Sequence, residues 1–362
     1  MEESSISAYF SSLSIRRRSL LKTALSGTAG VSLASALAAC GGSSTTPTGA
    51  TGEGNFPSHP QWNFVFVNHV TTNPFFVPTQ YGIQDACALV GCKNQWTGSA
   101  TSSVSEMVNA MNTAIAAKAD GIAVAIIDPT AFNAPTQAAL SAGIPVLSYN
   151  ADAPAASNNA RLAYIGQDLF ASGVQVGKRI ASLVPSGEIA GFIATPGSLN
   201  IQPRIDGIKS VLSTIPSISF TEVATGAAVN DELSRIEAYY LGHQNLKGMV
   251  AVDAGSTQGV SQIMEKYNLA SKGVHAGGYD LLPVTLQEIQ KGNLDFTIDQ
   301  QPYQQGLTPV MQLFLFKLSG GLQAPSNTNT GLLFVTKDNV GPYLNSQTRF
   351  EGSSSQQKVV SP

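Results

Sequence analysis

From Trp62 onward the chain repeats one theme. A short apolar run that reads as a strand is followed by a stretch with apolar residues three and four apart, which reads as a helix. Strand-like runs fall at Phe64–Asn68, Gly121–Ile126, Pro145–Tyr149, Leu162–Ile165, Glu188–Ala194, Ile218–Val223, Gly248–Val252, Val274–Gly278, Asp295–Asp299 and Leu332–Thr336. Val104-Met107-Val108-Met111-Ile115 and Ile205-Ile208-Val211-Leu212 exemplify the helices between them. Strict alternation demands parallel sheets with right-handed crossovers. The series is too long for one sheet and restarts at Gly187, after a long helix over 167–184. The expected fold is therefore α/β, with two doubly wound parallel-sheet lobes. Their junctions fall in short connections near Gly166, Pro302 and Gly331, so the lobes should hinge on three crossovers. Residues 61–165 with 302–330 make lobe 1, 166–301 with 331–350 make lobe 2, and 351–362 are a tail.

Ahead of this body stands a different composition. Arg16-Arg17-Arg18-Ser19-Leu20-Leu21-Lys22 precedes a moderately apolar stretch that ends in Leu37-Ala38-Ala39-Cys40. A basic region, an apolar region and small residues make an export signal over 1–40. Arg17-Arg18-x-Leu-Leu-Lys resembles a twin-arginine motif, and Leu-Ala-Ala-Cys with Gly41-Gly42 resembles a bacterial lipobox. That resemblance implies lipidation of Cys40; the alternative is an uncleaved membrane anchor. Residues 41–60, rich in Gly, Ser, Thr and Pro, read as a flexible tether. The mature protein would be a body leashed to the outer face of the cytoplasmic membrane, in the periplasm or at the cell surface. There an oxidising compartment permits a disulfide between Cys87 and Cys92, the alternative being two buried thiols.

The chemistry legible in the chain is mostly negative. A net charge of −3 gives no reason to expect nucleic acid. His59, His69, His243 and His275 lack metal-ligand spacing and read as solvated or core residues. No Gly-rich phosphate loop, nucleophile elbow or paired-carboxylate site is recognisable, so neither cofactor nor catalysis is expected. What recurs is a polar residue at the carboxyl end of strand after strand, where ligands bind in such sheets. These are Asn73, Asn150, Asp152, Arg204, Asp253, Asp280 and Gln300. Each alone reads equally as a helix cap or loop residue; together they suit a polyhydroxylated ligand, whose hydroxyls both donate and accept. Phe75 and Phe76, in the loop after the first strand, are either a platform for the apolar face of such a ligand or a plug between helix and sheet. Trp96 and Tyr149 either extend that wall or pack in the core.

Seven segments, in this order, carry a resemblance. They are Asn73-Pro74-Phe75-Phe76, Gly143-Ile144-Pro145-Val146, Tyr164-Ile165-Gly166-Gln167-Asp168, Arg204-x-x-Gly207, Ala251-Val252-Asp253, Gly277-Gly278-Tyr279-Asp280 and Thr297-Ile298-Asp299-Gln300-Gln301-Pro302. The set closely resembles the ribose-binding-protein-like solute receptors, of periplasmic-binding-protein type I, that serve bacterial ABC sugar importers. The resemblance implies that Asn73, Phe75, Phe76 and Asn150 contact the ligand from lobe 1. It implies the same of Arg204, Asp253 and Asp280 from lobe 2, and of Gln300 at the hinge. Asn150 stands where the family commonly has Asp, and Ala151 where ribose binders place Arg; Asp152 either replaces the missing charge or caps the following turn. The second-lobe aromatic of ribose binders has no clear counterpart. The implied function is monomeric binding of a monosaccharide or related polyol, followed by docking on ABC permease subunits. A sensory module delivering the closed form to a chemoreceptor or kinase is the alternative. A repressor would need a helix-turn-helix where the export signal stands, and a glycosidase a carboxylate pair.

Overall fold

A computed structural model of the protein describes residues 54–226 and 228–360. The export signal, the lipobox with Cys40 and most of the tether lie outside these residues. The chain opens with β1 (Asn63–Asn68), α1 (Val77–Val90), β2 (Lys93–Gly98), α2 (Val104–Ala116), β3 (Gly121–Val124), α3 (Asn133–Ser141), β4 (Val146–Tyr149) and β5 (Tyr164–Gly166). It crosses into lobe 2 for α4 (Leu169–Leu183), β6 (Gly187–Ile193), α5 (Gln202–Leu212), β7 (Ile218–Ala224), α6 (Val229–Gly242) and β8 (Gly248–Ala251). There it continues with α7 (Ala254–Lys266), β9 (His275–Gly277), α8 (Pro283–Lys291) and β10 (Thr297–Asp299). It returns to lobe 1 for α9 (Pro302–Leu318) and β11 (Thr328–Asn329), then crosses a third time to β12 (Leu333–Val335) and α10 (Gly341–Asn345).

Lobe 1 is a parallel sheet in the order β2-β1-β3-β4-β5-β11. Lobe 2 repeats the plan as β7-β6-β8-β9. Strand order reverses between β1 and β3 in one lobe and between β6 and β8 in the other, opening a crevice at the carboxyl ends of each sheet. β1 is apolar on both faces because helices cover both. β2 escapes sequence reading because Lys93, Asn94 and Gln95 lie exposed on an edge strand, with no buried face to impose alternation.

One pairing departs from the parallel expectation. β12 runs antiparallel to β10, Ile298 opposite Phe334. The chain enters β12 straight from the hinge, from the end where β10 finishes, with no helix to carry it back to the other edge.

Glycines set the helix spacing that positions the hinge and the cleft. α1 and α9 touch backbone to backbone: a Cβ on Gly82 would lie 2.2 Å from the Tyr303 carbonyl oxygen. In lobe 2 a Cβ on Gly173 of α4 would lie 2.1 Å from the carbonyl oxygen of Arg204 on α5.

Three expectations need correcting. Cys87 and Cys92 are free thiols, not a bridge. The last turn of α1 directs Cys87 into the core, whereas left-handed Gly91 turns the chain so that the Cys92 thiol faces the Val90 carbonyl at 3.9 Å. Burial pushes the thiols up to about 11 and about 12, so both stay protonated and unreactive. The end of the proposed tether is not free: the Phe56 ring meets Phe314 at 4.8 Å and His59 stacks on Trp62 at 5.0 Å. Lobe 2 ends with α10 and does not run to residue 350. Arg349 pairs with Asp85 of α1, and Phe350 packs on Tyr303 of α9 with ring centroids 5.0 Å apart.

Candidate functional site

Strand ends from both lobes meet across one cleft. Its floor and walls form two adjoining cavities of about 60 Å³ each. Eight of the nine residues singled out in the sequence line the first of them: Asn73, Phe75, Phe76, Asn150, Arg204, Asp253, Asp280 and Gln300.

On the lobe 1 side, the Asn73 side chain accepts from the Phe75 N–H at 2.9 Å and caps the short 3₁₀ turn Pro74–Phe76. That turn aims two rings differently. Phe76 is buried and wedged edge-on against Phe75 and His69; Phe75 remains half-buried at the cleft. Plug and platform are thus divided between neighbours. Trp96 backs Phe76 at 5.8 Å, and the buried Tyr149 hydroxyl accepts from Asn68 at 2.9 Å. Both are support for the wall.

The lobe 2 side is mainly polar, with Ile201 and Ala254 as its apolar lining. Arg204 is buried, its guanidinium 4.1 Å from the centroid of the Tyr279 ring. It donates to the Val252 carbonyl at 2.8 Å and to Gln167 at 3.2 Å. Among the described residues its Nε has no partner. Asp280 accepts from Gln300 at 2.6 Å; burial raises its carboxyl to about 6, although Arg204 and the Gln300 hydrogen bond oppose the shift. A hinge network extends from there. Gln305 donates to Gln300 at 3.1 Å and accepts from Asn150 at 3.0 Å, while Gln167 donates to the Gly331 carbonyl at 3.0 Å. Asn150, Asp280 and Gln301 all adopt left-handed backbone, with φ of 61, 77 and 59°. Such conformations persist where the surroundings hold them and cluster at ligand clamps and switch regions.

Asp152 is the residue the structure removes from the site. The left-handed turn at Asn150 carries it to the other side of the hinge, where it lines a separate opening of about 470 Å³. There it pairs with Arg161 and accepts from Ser148 at 2.6 Å, so its carboxylate is already satisfied.

Among the residues that enter without having been singled out as ligand contacts are His69, Asn200 and Glu232. His69 immediately follows β1, a position that could have marked it. It reaches Asn200 of lobe 2 at 3.2 Å, and the Leu199 N–H donates to the Ile127 carbonyl at 3.1 Å, so the lobes are joined across the cleft. Burial lowers His69 to about 4, which keeps it neutral, and its Nδ1 has no partner among the described residues. Orphaned buried polar atoms are rare in native structures. Two of them, on His69 and Arg204, belong to residues lining this one cleft.

Comparison with known proteins gives a consistent answer. A family model described as a periplasmic binding protein domain matches residues 64–317. The xylose/arabinose-binding protein XylF of Sulfolobus acidocaldarius is 55% identical over 320 residues, which cover 85% of this chain and 79% of that protein. Among solved structures, an ABC transporter solute-binding protein from Burkholderia graminis in complex with D-arabinose is similar at a TM-score of 0.72 and 27% identity. That match covers 78% of this chain and 97% of the other. GanP, a glucose-galactose binding protein from Geobacillus stearothermophilus, shares the fold at a TM-score of 0.71 and 21% identity, over 78% of this chain and 100% of its own.

Proposed function

Because this chain belongs to the periplasmic binding protein family, we propose that it is the extracytoplasmic solute-binding receptor of an ABC sugar importer, taking a pentose, xylose or arabinose, between its lobes. It is a binding protein and not an enzyme. The observation that carries the reading is the cleft itself: eight residues from the turns and helix starts that follow the strands of both lobes converge there, and two of its lining residues keep buried polar atoms unpartnered among the described residues. The relative that is 55% identical over 320 residues is named for xylose and arabinose, which supports a pentose over a hexose.

Closure follows from differential contact. A sugar bridging Phe75 and Asn73 on one side and Arg204, Asp253 and Asp280 on the other stabilises only the arrangement in which both walls reach it. The half-buried Phe75 ring suits the C–H face of a pyranose, and the opposite wall supplies directed acceptors and donors. Excluding water makes each missing or inverted hydroxyl costly, by about 1–3 kcal/mol for a buried group left unsatisfied. The three crossings at 166–169, 299–302 and 329–333 serve as the hinge. Outside the described residues, Cys40 is the proposed lipid attachment that keeps the receptor beside its permease; mass spectrometry of the membrane-extracted protein should find a chain that begins at a lipid-modified Cys40, and an intact 1–40 segment would refute the attachment.

Isothermal titration of the purified protein with D-xylose, L- and D-arabinose, D-ribose and D-glucose tests the reading. Saturable binding of xylose or arabinose, with ribose and glucose weaker, is the expected result. Failure of both pentoses to bind would refute it.

A further inference from the structure

Beside the sugar site stands a carboxyl pair. We infer that Glu232 and Asp253 hold one proton between them, and that the neutral Glu232 carboxyl is a positioning residue fixing the Asp253 carboxylate at the cleft wall. The inference rests on the reading of this cleft as the sugar site.

Glu232 lies in the first turn of α6 and is buried, yet it lines the second of the two cavities together with Asp253. The packing around it is specific. Its Oε2 accepts from the Ser256 hydroxyl at 3.0 Å, and that hydroxyl also meets Thr225 Oγ1 at 2.8 Å. Gly255 gives way to it: a Cβ there would lie 2.4 Å from Oε2. Asp253, the N-cap of α7, accepts from the Ser256 N–H at 2.8 Å and from the Ala194 N–H at 3.0 Å. Both carboxyls thus close on one residue, Ser256, Glu232 through its hydroxyl and Asp253 through its N–H, which sets them side by side.

Two carboxylates set against one serine, Glu232 buried and Asp253 half-buried, repel too strongly for both to be ionised at neutral pH without a cation. Among the described residues no lysine or arginine forms an ion pair with either. The proton therefore stays, and its location follows from the donors. Asp253 receives two backbone N–H groups, which stabilise a carboxylate; Glu232 receives only a hydroxyl. Glu232 is the acid and Asp253 the anion. Burial and the neighbouring Asp253 charge drive the Glu232 carboxyl well above the usual carboxylate range. The other titratable groups facing the pair leave this balance in place. Asp280 adds negative charge, Arg204 acts on Asp280 from α5, and buried His69 is neutral on the lobe 1 side. Asp231 and Arg235, on the same helix, are exposed.

With its Oδ atoms held by Ala194, Ser256 and the Glu232 proton, Asp253 presents its remaining lone pairs in one direction. Loss of that proton puts a second charge against it and frees the side chain to turn.

Two measurements decide the matter. In protein labelled with ¹³C at glutamate carboxyls, with Glu232→Gln identifying the resonance, Glu232 should stay protonated through about pH 4 to 7 and ionise only in alkaline solution. Ionisation in the ordinary carboxylate range overturns the inference. In calorimetry with D-xylose, wild-type affinity should fall several-fold as the pH is raised well above neutral, while Glu232→Gln stays level. Parallel decline in both proteins overturns it. Absence of pentose binding by the wild type would sink the sugar reading alone, and the carboxyl titration would still decide where the proton lies.

Discussion

Arg204 shows how much one side chain is asked to do. It stacks on Tyr279, ties the end of β8 to the hinge residue Gln167, and lines the cleft with its Nε unpartnered among the described residues. A lysine has neither the planar fork nor the stacking face. Arg204→Lys should weaken pentose binding on the order of 100-fold, with the melting temperature of the free protein changed far less; calorimetry beside a thermal melt separates the two. Asp280 gives the site an acid limb. Its carboxyl is raised from 3.8 to about 6 by burial, so between those values the folded protein holds more protons than the unfolded chain. The stability it contributes is complete at the acid end and is lost as pH rises through about 6. Binding has the opposite sense, because hydroxyls donate to the ionised carboxylate. Pentose affinity should rise as pH is taken from 5 to 7.5, and Asp280→Asn should flatten that rise. A wild-type profile flat across this range would remove Asp280 from the contact set.

At the scale of elements, the cleft is only as accurate as the helix crossings behind it. Gly173 on α4 rests against the carbonyl of Arg204, so the α4–α5 contact sets where the guanidinium begins. Gly173→Ala must push the helices apart. We expect a loss of about 1–3 kcal/mol in stability, together with weaker pentose binding, although residue 173 touches no ligand. Equilibrium urea unfolding and calorimetry on the same preparation check this, and unchanged affinity would show that the strain is absorbed elsewhere. The same crossings explain what local pattern made legible. Apolar periodicity located α4 and α5 because one face of each is buried, but their Gly173–Arg204 contact joins residues of different elements and has no local signature.

At the scale of the whole molecule, two lobes of the same plan are joined by three crossings and a returning C-terminal segment. That segment clamps lobe 1 through Arg349 to Asp85 and through Phe350 to Tyr303. Ending the chain after Asn345 should lower the melting temperature by about 2–4 °C while the pentose-induced rise persists, since the three crossings remain intact. A thermal-shift comparison with and without pentose measures both, and loss of the ligand response would make the segment part of the closure machinery.

Sequence alone determined the two doubly wound lobes, the three crossings and most of the polar residues that line the cleft between them. Burial imposes a period on every element, and a polar residue that breaks the period at a strand end is visible without coordinates. Only the tertiary structure decided which of those residues face one another. A single left-handed torsion at Asn150 sends Asp152 out of the cleft, and the turn at Gly91 keeps two nearby thiols apart. His69 meets Asn200 from 131 residues away, and Glu232 of α6 and Asp253 ahead of α7 both close on Ser256. No local period records such meetings, because they are set by how two independently twisted sheets close on each other.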